Sequence, residues 1–338
     1  MYCLGIETSC DETALALLGK LPGGKIKILA EEISSQADVH SLYGGVVPEL
    51  ASREHLKALP LLFDILLKKS EIAVNDISLI AVTRGPGLKG CLLMGVNFAR
   101  GLSLPYKIPL IGINHIEAHI FSVLLDNPQL TMPFLALVVS GGHTEIVQVE
   151  ALGRYKLLAR TLDDAAGEAF DKAANLLSIA YPGGAKLAAL ADSVQTSRFS
   201  LPKVMREAEG FSFSGLKTAI ALMIEKNKPH LLDNGQVMAE AAFAVQEAIV
   251  DAIDYKIKKA VAQCGIRNIA VSGGVSANRA LRAKLNSNKE CRVFYAKPEH
   301  CTDNAAMIAF LGVQRFEMQE KQPQEDLEVL PRWPVETL

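Results

Sequence analysis

Phe134-Leu-Ala-Leu-Val-Val-Ser-Gly-Gly-His-Thr-Glu-Ile-Val-Gln-Val-Glu150 decides the reading of the fold. Phe134–Val139 is an unbroken apolar run of strand length, Ser140–Thr144 is a polar turn with two glycines, and Glu145–Glu150 resumes as a second strand. Tyr155–Leu162 supplies a third strand and Ala165–Ala180 an alanine-rich helix. Much later, Asn268–Val271 is an isolated strand running into Ser272-Gly-Gly-Val-Ser276. The beginning of the chain follows the same order. Tyr2–Thr8 is a short apolar run, Ser9-Cys-Asp-Glu12 a polar turn and Thr13–Leu18 a second run. Leu21-Pro-Gly-Gly24 breaks the chain, and Lys25–Ser34 follows as a third strand. Ala51–Lys68 carries a helical apolar stripe interrupted by Pro60. Ile77–Val82 reads as a buried strand and Cys91–Ser103 as a helix rich in small residues. Strand, turn, strand, strand, helix, strand therefore occurs twice, about half a chain apart, with little residue identity between the copies. That order predicts an α/β protein of two related lobes, each with a mixed sheet, and a ligand between them. The lobes are expected at 1–112, completed by 310–338, and at 113–309, with an insertion near 196–228. Val237–Gln263 reads as a long amphipathic helix, and the polar, acidic tail Gln319–Leu338 as a surface segment with a mobile end.

Composition narrows the function. Of 338 residues 49% are hydrophobic and 21% charged, which is ordinary for a globular protein, and Lys+Arg 35 against Asp+Glu 37 leaves a net charge of −2. Coating nucleic acid through bulk positive charge is excluded, whereas a local basic patch is not. Arg84, Lys89, Arg100 and Lys107, and Arg279, Arg282 and Lys284, are the candidate patches; solvated helix faces are the plainer explanation. No apolar run approaches the roughly 18–20 residues that span a bilayer, and Met1 leads straight into a strand with no basic leader. Cys3, Cys10, Cys91, Cys264, Cys291 and Cys301 contain no C-x-x-C pair. They read as reduced thiols of a cytoplasmic protein.

Asn114-His-Ile-Glu-Ala-His119 is the sharpest chemical signal. His115 and His119, four residues apart, stack on one face of a helix where both rings can reach one metal ion. The zinc-protease order is H-E-x-x-H, whereas here Glu117 falls two residues from each histidine and off their face, a poor place for a water-activating base. Asp303, in Cys301-Thr-Asp-Asn304, is the candidate third ligand; two histidines and one carboxylate suit Fe(II) or Zn and leave open positions. On spacing alone, two plain surface histidines stay an equal alternative. The turns Ser9–Thr13, Ser140–Thr144 and Ser272–Asn278 offer hydroxyls and clustered amides suited to an anion. Val82-Thr-Arg-Gly-Pro-Gly-Leu-Lys-Gly-Cys91 lacks the G-x-x-x-x-G-K-[ST] phosphate loop and reads as a sharp strand-to-helix turn.

These residues resemble one family. Arg100-Gly101, Tyr106-Lys-Ile-Pro109 and His115-Ile-Glu-Ala-His119-Ile120 are similar to the signature of the universal tRNA threonylcarbamoyladenosine transferases, once described as O-sialoglycoprotein endopeptidases. Gly5–Thr13, Gly44–Arg53, Val138–Thr144, Tyr181-Pro-Gly-Gly184, Phe211–Thr218, Ser272–Asn278 and Cys301–Asn304 agree as well. The resemblance implies an α/β fold of two actin/hexokinase/Hsp70-like (ribonuclease-H-like) lobes with a nucleotide cleft between them. It implies transfer of a threonylcarbamoyl group from threonylcarbamoyl-AMP to N6 of the adenosine at tRNA position 37, in tRNAs reading codons that begin with A. Carried over, His115, His119 and Asp303 hold one divalent metal ion, iron in preference to zinc. Val138, Val139, Ser140, Gly141, Gly142, Asp171, Gly184 and Asn278 bind the adenine nucleotide. Implied partners are tRNA, a TsaB-like paralogue, a TsaE-like ATPase and an upstream TsaC-type enzyme, with no membrane. The chain departs from the family at Ala188, where many members carry an acidic residue, at Ala185 in place of proline, and at Cys91 in place of serine.

The exocyclic amine of adenosine is a poor nucleophile because its lone pair is delocalised into the ring. Asp11 and Glu12 are the candidates to position it or take its proton, with the metal a Lewis acid on the acyl oxygens. An ATP-dependent sugar kinase or chaperone-like ATPase of the same fold is the alternative. It would be expected to open on an Asp-x-Gly-Thr turn and to need no paired histidines. A metalloprotease is disfavoured by the H-x-E-x-H order.

Overall fold

A computed structural model gives the fold for residues 1–21, 23–202, 209–318 and 327–338, with the backbone course alone for 228–233. In chain order, β1 (Tyr2–Glu7), β2 (Glu12–Lys20) and β3 (Ile26–Ser35) lead to α1 (Ala37–Ser41), α2 (Pro48–Ser70), β4 (Ile77–Gly85), α3 (Lys89–Tyr106), β5 (Leu110–Asn114) and α4 (His115–Asp126). Next come β6 (Phe134–Val139), β7 (Thr144–Ala151), β8 (Arg154–Arg160), α5 (Ala166–Leu176), α6 (Gly184–Ala191) and α7 (Ser214–Asp233). After α8 (Gly235–Cys264) follow β9 (Asn268–Ser272), α9 (Arg279–Ser287), β10 (Arg292–Tyr295), α10 (Pro298–Cys301) and α11 (Ala305–Glu317). The chain forms two compact units: Met1–Gln129 with Ala296–Leu338, and Leu130–Tyr295.

Each unit has one five-stranded sheet, ordered β3-β2-β1-β4-β5 in the first and β10-β9-β6-β7-β8 in the second. Counted from its own first strand, each sheet reads 3-2-1-4-5. Strands 1 to 3 form an antiparallel meander, and strands 4 and 5 run parallel to strand 1. The duplicated pattern is thus one topology used twice. Hydrophobicity follows position: β6 is buried at every residue, as a central strand covered on both faces must be, whereas β3 and β8 at the edges alternate in exposure.

In the first unit Leu4, Ile6, Val82, Leu59, Phe63, Leu66 and Val96 form the core on one face of the sheet. α11 covers the other face at close range, because Gly5 and Gly312 leave out side chains. A Cβ on Gly5 would overlap the Ala305 carbonyl oxygen and crowd the backbone of Ala309, and one on Gly312 would overlap Ala81. Gly5→Ala is therefore expected to lower stability by about 1–3 kcal/mol, read as an earlier urea midpoint at unchanged m-value. A midpoint equal to wild type would show that α11 shifts outward freely.

Several local expectations change. α2 runs without interruption through Pro60. Proline forfeits one backbone hydrogen bond, yet Leu59, Phe63 and Leu66 bury the same face on both sides of it and hold the helix. The single helix expected over 165–180 stops at Leu176; Ser178 takes a φ of 60° and Tyr181-Pro-Gly-Gly184 turns into α6. The units divide near 129/130 and 295/296 instead of 112 and 310. α4 and Asp303 thereby fall in the first unit, because α4 is tied to α11 through Glu117 and Arg315. Part of the insertion expected near 196–228 lies outside the described residues, as do 319–326 of the tail. The rest of the tail is not a loose end: Leu327 and Val335 are buried, Leu330 N–H donates to the Arg84 carbonyl, and Gly87 N–H to that of Pro331. None of the six cysteines is in a disulfide. Among the described residues no helix is long and apolar enough to cross a membrane.

Candidate functional site

β5 passes directly into α4 because Asn114 caps the helix. Its Oδ1 accepts hydrogen bonds from the backbone N–H groups of Ile116 (2.9 Å) and Glu117 (3.1 Å), and its Nδ2 donates to the Trp333 carbonyl (2.9 Å). The helix so anchored carries His115 and His119 inward, 4% and 0% exposed, which removes the surface-histidine alternative. Their rings lie 4.7 Å apart and nearly perpendicular. Asp303, between α10 and α11, places Oδ1 2.9 Å from His119 Nε2 and 3.6 Å from His115 Nε2. One donor atom from each of these three residues lies within 4.8 Å of the others. Glu117 takes no part: it is fully buried and paired with Arg315 at 2.6 and 2.8 Å.

Behind His115 stands Glu7, at the end of β1. Its Oε2 is 3.0 Å from His115 Nδ1 and accepts from Thr83 Oγ1 (2.6 Å), while its Oε1 accepts from the Ser9 N–H. The Ser9 hydroxyl is 3.3 Å from the same His115 nitrogen. A carboxylate on Nδ1 keeps a proton there and leaves Nε2, on the Asp303 side, as the nitrogen that a metal ion would use. His119 Nδ1, by contrast, is buried with no hydrogen-bond partner.

The charges around this group do not balance. Burial would lower the His115 pKa, yet Glu7 and Asp303 overcome it and push it up to about 9. Burial raises Glu7, and the charge and hydrogen bond of His115 more than reverse that. Glu12 is pushed up to about 9 by burial and by the negative charges of Asp303, Asp11 and Glu7. Two imidazoles thus face an excess of carboxylates, a deficit that a divalent cation offsets. The donor set, two imidazole nitrogens and one carboxylate oxygen, fits such an ion with coordination positions to spare.

In the second unit a pocket of about 540 Å³ is lined by Gly141, Asp171, Gly184, Asp192, Asn278 and Arg279, among others. That volume suits a nucleotide-sized ligand. Gly273 starts the turn after β9 at a φ of 87°, where a Cβ would overlap the Val139 carbonyl, so only glycine brings that turn so close to β6. Asp171 Oδ1 accepts from the N–H groups of Gly183 (2.9 Å) and Gly184 (2.7 Å), fixing the Tyr181–Gly184 turn. Asn278 caps α9 through Leu281 N–H and donates to Gln246 Oε1 (2.7 Å); Gln246 in turn donates to Asp192.

Of the eight expected nucleotide residues, Gly141, Asp171, Gly184 and Asn278 line this pocket. Val138 and Val139 do not present side chains to it; both are fully buried. Ser140 and Gly142 sit in the neighbouring turn, where Ser140 Oγ accepts from His143 N–H. Ala185 and Ala188 line the pocket, and Asp192 is the carboxylate available one helical turn beyond Ala188. Sequence reading passed over Asp192 and Gln246, which lie in no quoted motif, and gave no role to Glu7 and Thr83, although Gly5–Thr13 and Val82–Cys91 contain them. A polar residue ending an apolar strand, as Glu7 does, was the one available signal. Of the basic candidates, Arg84 stacks on Trp333, Arg100 donates to the Leu327 carbonyl, Arg282 stacks on Tyr295 and Lys284 pairs with Asp251.

The Phe211–Thr218 block is organised by Asp163. Its carboxylate accepts from the hydroxyls of Ser212 and Ser214 and from the N–H groups of Phe213 and Ser214, so it caps α7 from a distance. Burial acts to raise its pKa, but the Ser212, Phe213 and Ser214 hydrogen bonds prevail and hold it below the usual carboxylate range. A depressed carboxyl stabilises the fold above its unfolded pKa of about 3.9, and that stability is lost as pH falls through the folded value. Asp163→Asn is expected to cost about 1 kcal/mol at pH 7, a difference that closes as pH falls through the depressed folded value. Urea unfolding at pH 7 and below that folded value checks it; a pH-independent gap would contradict the charge-based cap.

The family described as TsaD, tRNA N6-adenosine threonylcarbamoyltransferase, matches residues 27–310 of the chain. Among solved structures, component A of (R)-2-hydroxyglutaryl-CoA dehydratase from Acidaminococcus fermentans is similar with 15% identity, covering 93% of this chain and 98% of that one at a TM-score of 0.57. The Clostridium difficile activator of 2-hydroxyisocaproyl-CoA dehydratase, with bound ADPNP, gives 15% identity, 96% and 98% coverage and a TM-score of 0.55. HypF of T. kodakarensis gives 16% identity and a TM-score of 0.61 over 96% of this chain but 49% of its own length. At such identities the likeness concerns the fold, and it establishes an α/β chain of two actin/hexokinase/Hsp70-like lobes.

Proposed function

The chain belongs to the TsaD family of tRNA N6-adenosine threonylcarbamoyltransferases, and from that premise we propose its reaction in detail. It transfers the threonylcarbamoyl group of threonylcarbamoyl-AMP to N6 of adenosine at position 37, in tRNAs reading codons that begin with A. The N6 lone pair attacks the carbamoyl carbon, the bond from that carbon to the phosphate oxygen breaks, and AMP leaves with the electron pair. The observation that carries this reading is the His115–His119–Asp303 group with Glu7 behind it, in a chain of this family.

His115, His119 and Asp303 would hold one divalent metal, iron in preference to zinc. When bound, the metal supplies Lewis-acid polarisation of the acyl oxygens. Glu7 keeps His115 in the tautomer that ligation needs. Asp11 and Glu12, at the turn into β2, orient the N6 amine; Asp11 receives the proton it gives up, while Glu12, pushed up to about 9, acts by hydrogen bonding as the protonated acid. Glu117 activates no water, being committed to Arg315, which suits a transferase that must not hydrolyse its donor. The pocket of Asp171, Gly184 and Asn278 takes the adenylate, with Gly141 against it and Val138, Val139, Ser140 and Gly142 shaping the adjoining strand and turn. The ADPNP held by the C. difficile protein of the same fold supports an adenine nucleotide there. We place the chain in the cytoplasm, acting on tRNA with a TsaB-like paralogue and a TsaE-like ATPase, downstream of a TsaC-type enzyme.

Mass spectrometry of tRNA nucleosides after depletion of this protein tests the reading. Threonylcarbamoyladenosine is expected to disappear and to return with the wild-type gene. An unchanged level in depleted cells would overturn it.

A further inference from the structure

The turn Ser9–Glu12, which presents Asp11 and Glu12, is held by its backbone carbonyls. Leu88 N–H donates to the Ser9 carbonyl (2.8 Å) and Gln36 N–H to that of Asp11 (3.0 Å). Between them, the Cys10 carbonyl is 3.0 Å from Nε2 of His55, an α2 side chain that is completely buried. A carbonyl only accepts, so His55 Nε2 carries a proton.

The other side of the ring is equally determined. His55 Nδ1 is 2.7 Å from Thr13 Oγ1 and 3.4 Å from Gln36 Nε2. The Gln36 amide nitrogen also donates to the Ala51 carbonyl (3.3 Å), which fixes the amide's orientation and makes that nitrogen a donor towards His55. Nδ1 must therefore carry the lone pair. Gln36 Oε1 accepts from His40 Nε2 (3.1 Å), and His40 Nδ1 accepts from Val47 N–H (3.3 Å). The network closes in one assignment of protons, with both imidazoles neutral. Burial favours the same state of His55, lowering its pKa against the pull of the Cys10 carbonyl and of Glu7 and Asp11.

We propose that His55 is a positioning residue for the transfer reaction: as the neutral Nε2–H tautomer it clamps the Cys10 carbonyl and, with Gln36, orients the turn that carries Asp11 and Glu12. Those two carboxylates have the role assigned under the proposed function, so the inference rests on that reading. Without the clamp the Cys10 carbonyl loses its buried donor, and the turn keeps only the Ser9 and Asp11 anchors on either side of it. Misplacement of a catalytic group by about 1 Å costs on the order of 100-fold in rate.

The test compares His55→Gln, His55→Asn and His55→Ala in the full chain, assayed with its protein partners, threonylcarbamoyl-AMP and tRNA. Glutamine places an amide nitrogen near the position of Nε2; asparagine places one only near Nδ1. His55→Gln is expected to keep turnover within about fivefold of wild type, whereas the Asn and Ala variants fall by roughly 10–100-fold. KM for threonylcarbamoyl-AMP and the bound metal per chain should stay unchanged in all three. Equal losses in the Gln and Ala variants, or full turnover in the Ala variant, would overturn the proposal, as would metal lost in proportion to activity. Ring 15N chemical shifts give a reading independent of activity. They should show His55 in the Nε2–H form at neutral pH; an Nδ1–H or imidazolium pattern overturns the clamp. If wild-type protein modifies no tRNA while the shifts show the Nε2–H form, the functional reading fails and the clamp geometry stands.

Discussion

Replacing Glu117 by alanine should destabilise the first unit by about 3–5 kcal/mol, the cost of stranding one member of a buried ion pair. Glu117 is fully buried on α4, and Arg315 on α11 meets both of its oxygens, through Nε at 2.8 Å and Nη2 at 2.6 Å. Two parallel charge-assisted hydrogen bonds in a largely buried setting fix one helix against the other. Arg315→Ala leaves the carboxylate stranded instead and should cost a similar amount. Replacing both residues by leucine and methionine removes both charges together, and should recover most of the loss. Chemical denaturation of the four proteins checks this. A single-variant cost below about 1 kcal/mol, the range of exposed pairs, would show that water reaches the pair. The metal-site consequence is secondary: because α4 carries His115 and His119, an α4 that slips on α11 takes both away from Asp303.

Asp303→Asn is expected to do the reverse, abolishing activity while sparing the fold. The side chain keeps its shape, is 19% exposed, and sits among like charges. Asp303 is among the causes that push Glu12 up and also among those that push His115 up, so removing its charge relieves one repulsion and forfeits one attraction in the absence of metal. Stability should therefore stay nearly level. Transfer to tRNA should fall by about 100- to 1,000-fold, corresponding to the several kcal/mol that a bound metal contributes to a polarised acyl group. Metal content should fall with it. Glu7→Gln makes the milder companion, with metal affinity reduced roughly 10- to 100-fold. An Asp303→Asn protein that retains both metal and turnover would remove this carboxylate from the site, and with it the reading of the histidine pair as a metal centre.

The contrast between these two carboxylates marks the limit of reading residues in a line. Spacing placed Glu117 off the histidine face, and that much followed from 3.6 residues per turn. Its partner lies 198 residues away, and no local pattern announces a pair across that distance. The same holds for Glu7, which looks like the polar end of a strand until β1, β4 and α4 bring it against Thr83 and His115. Pro60 and the buried tail show the opposite failure. Local rules predicted a broken helix and a loose end, and packing of Leu59, Phe63, Leu327 and Val335 overrode them.

Hydrophobic periodicity and turn chemistry sufficed for eight of the ten strands, their duplication and the α/β class, because both act between near neighbours on the chain; β5 and β10, short and parallel-paired, were not legible. The i, i+4 spacing sufficed to put two imidazoles on one helical face. Tertiary structure alone decided that this face is buried, that the candidate Asp303 lies beside it, that α4 belongs to the first unit, and which nitrogen of His40 and His55 carries the proton. Each of these depends on how groups far apart in sequence share charge and hydrogen bonds once water is excluded. That exclusion exists only when the chain is folded.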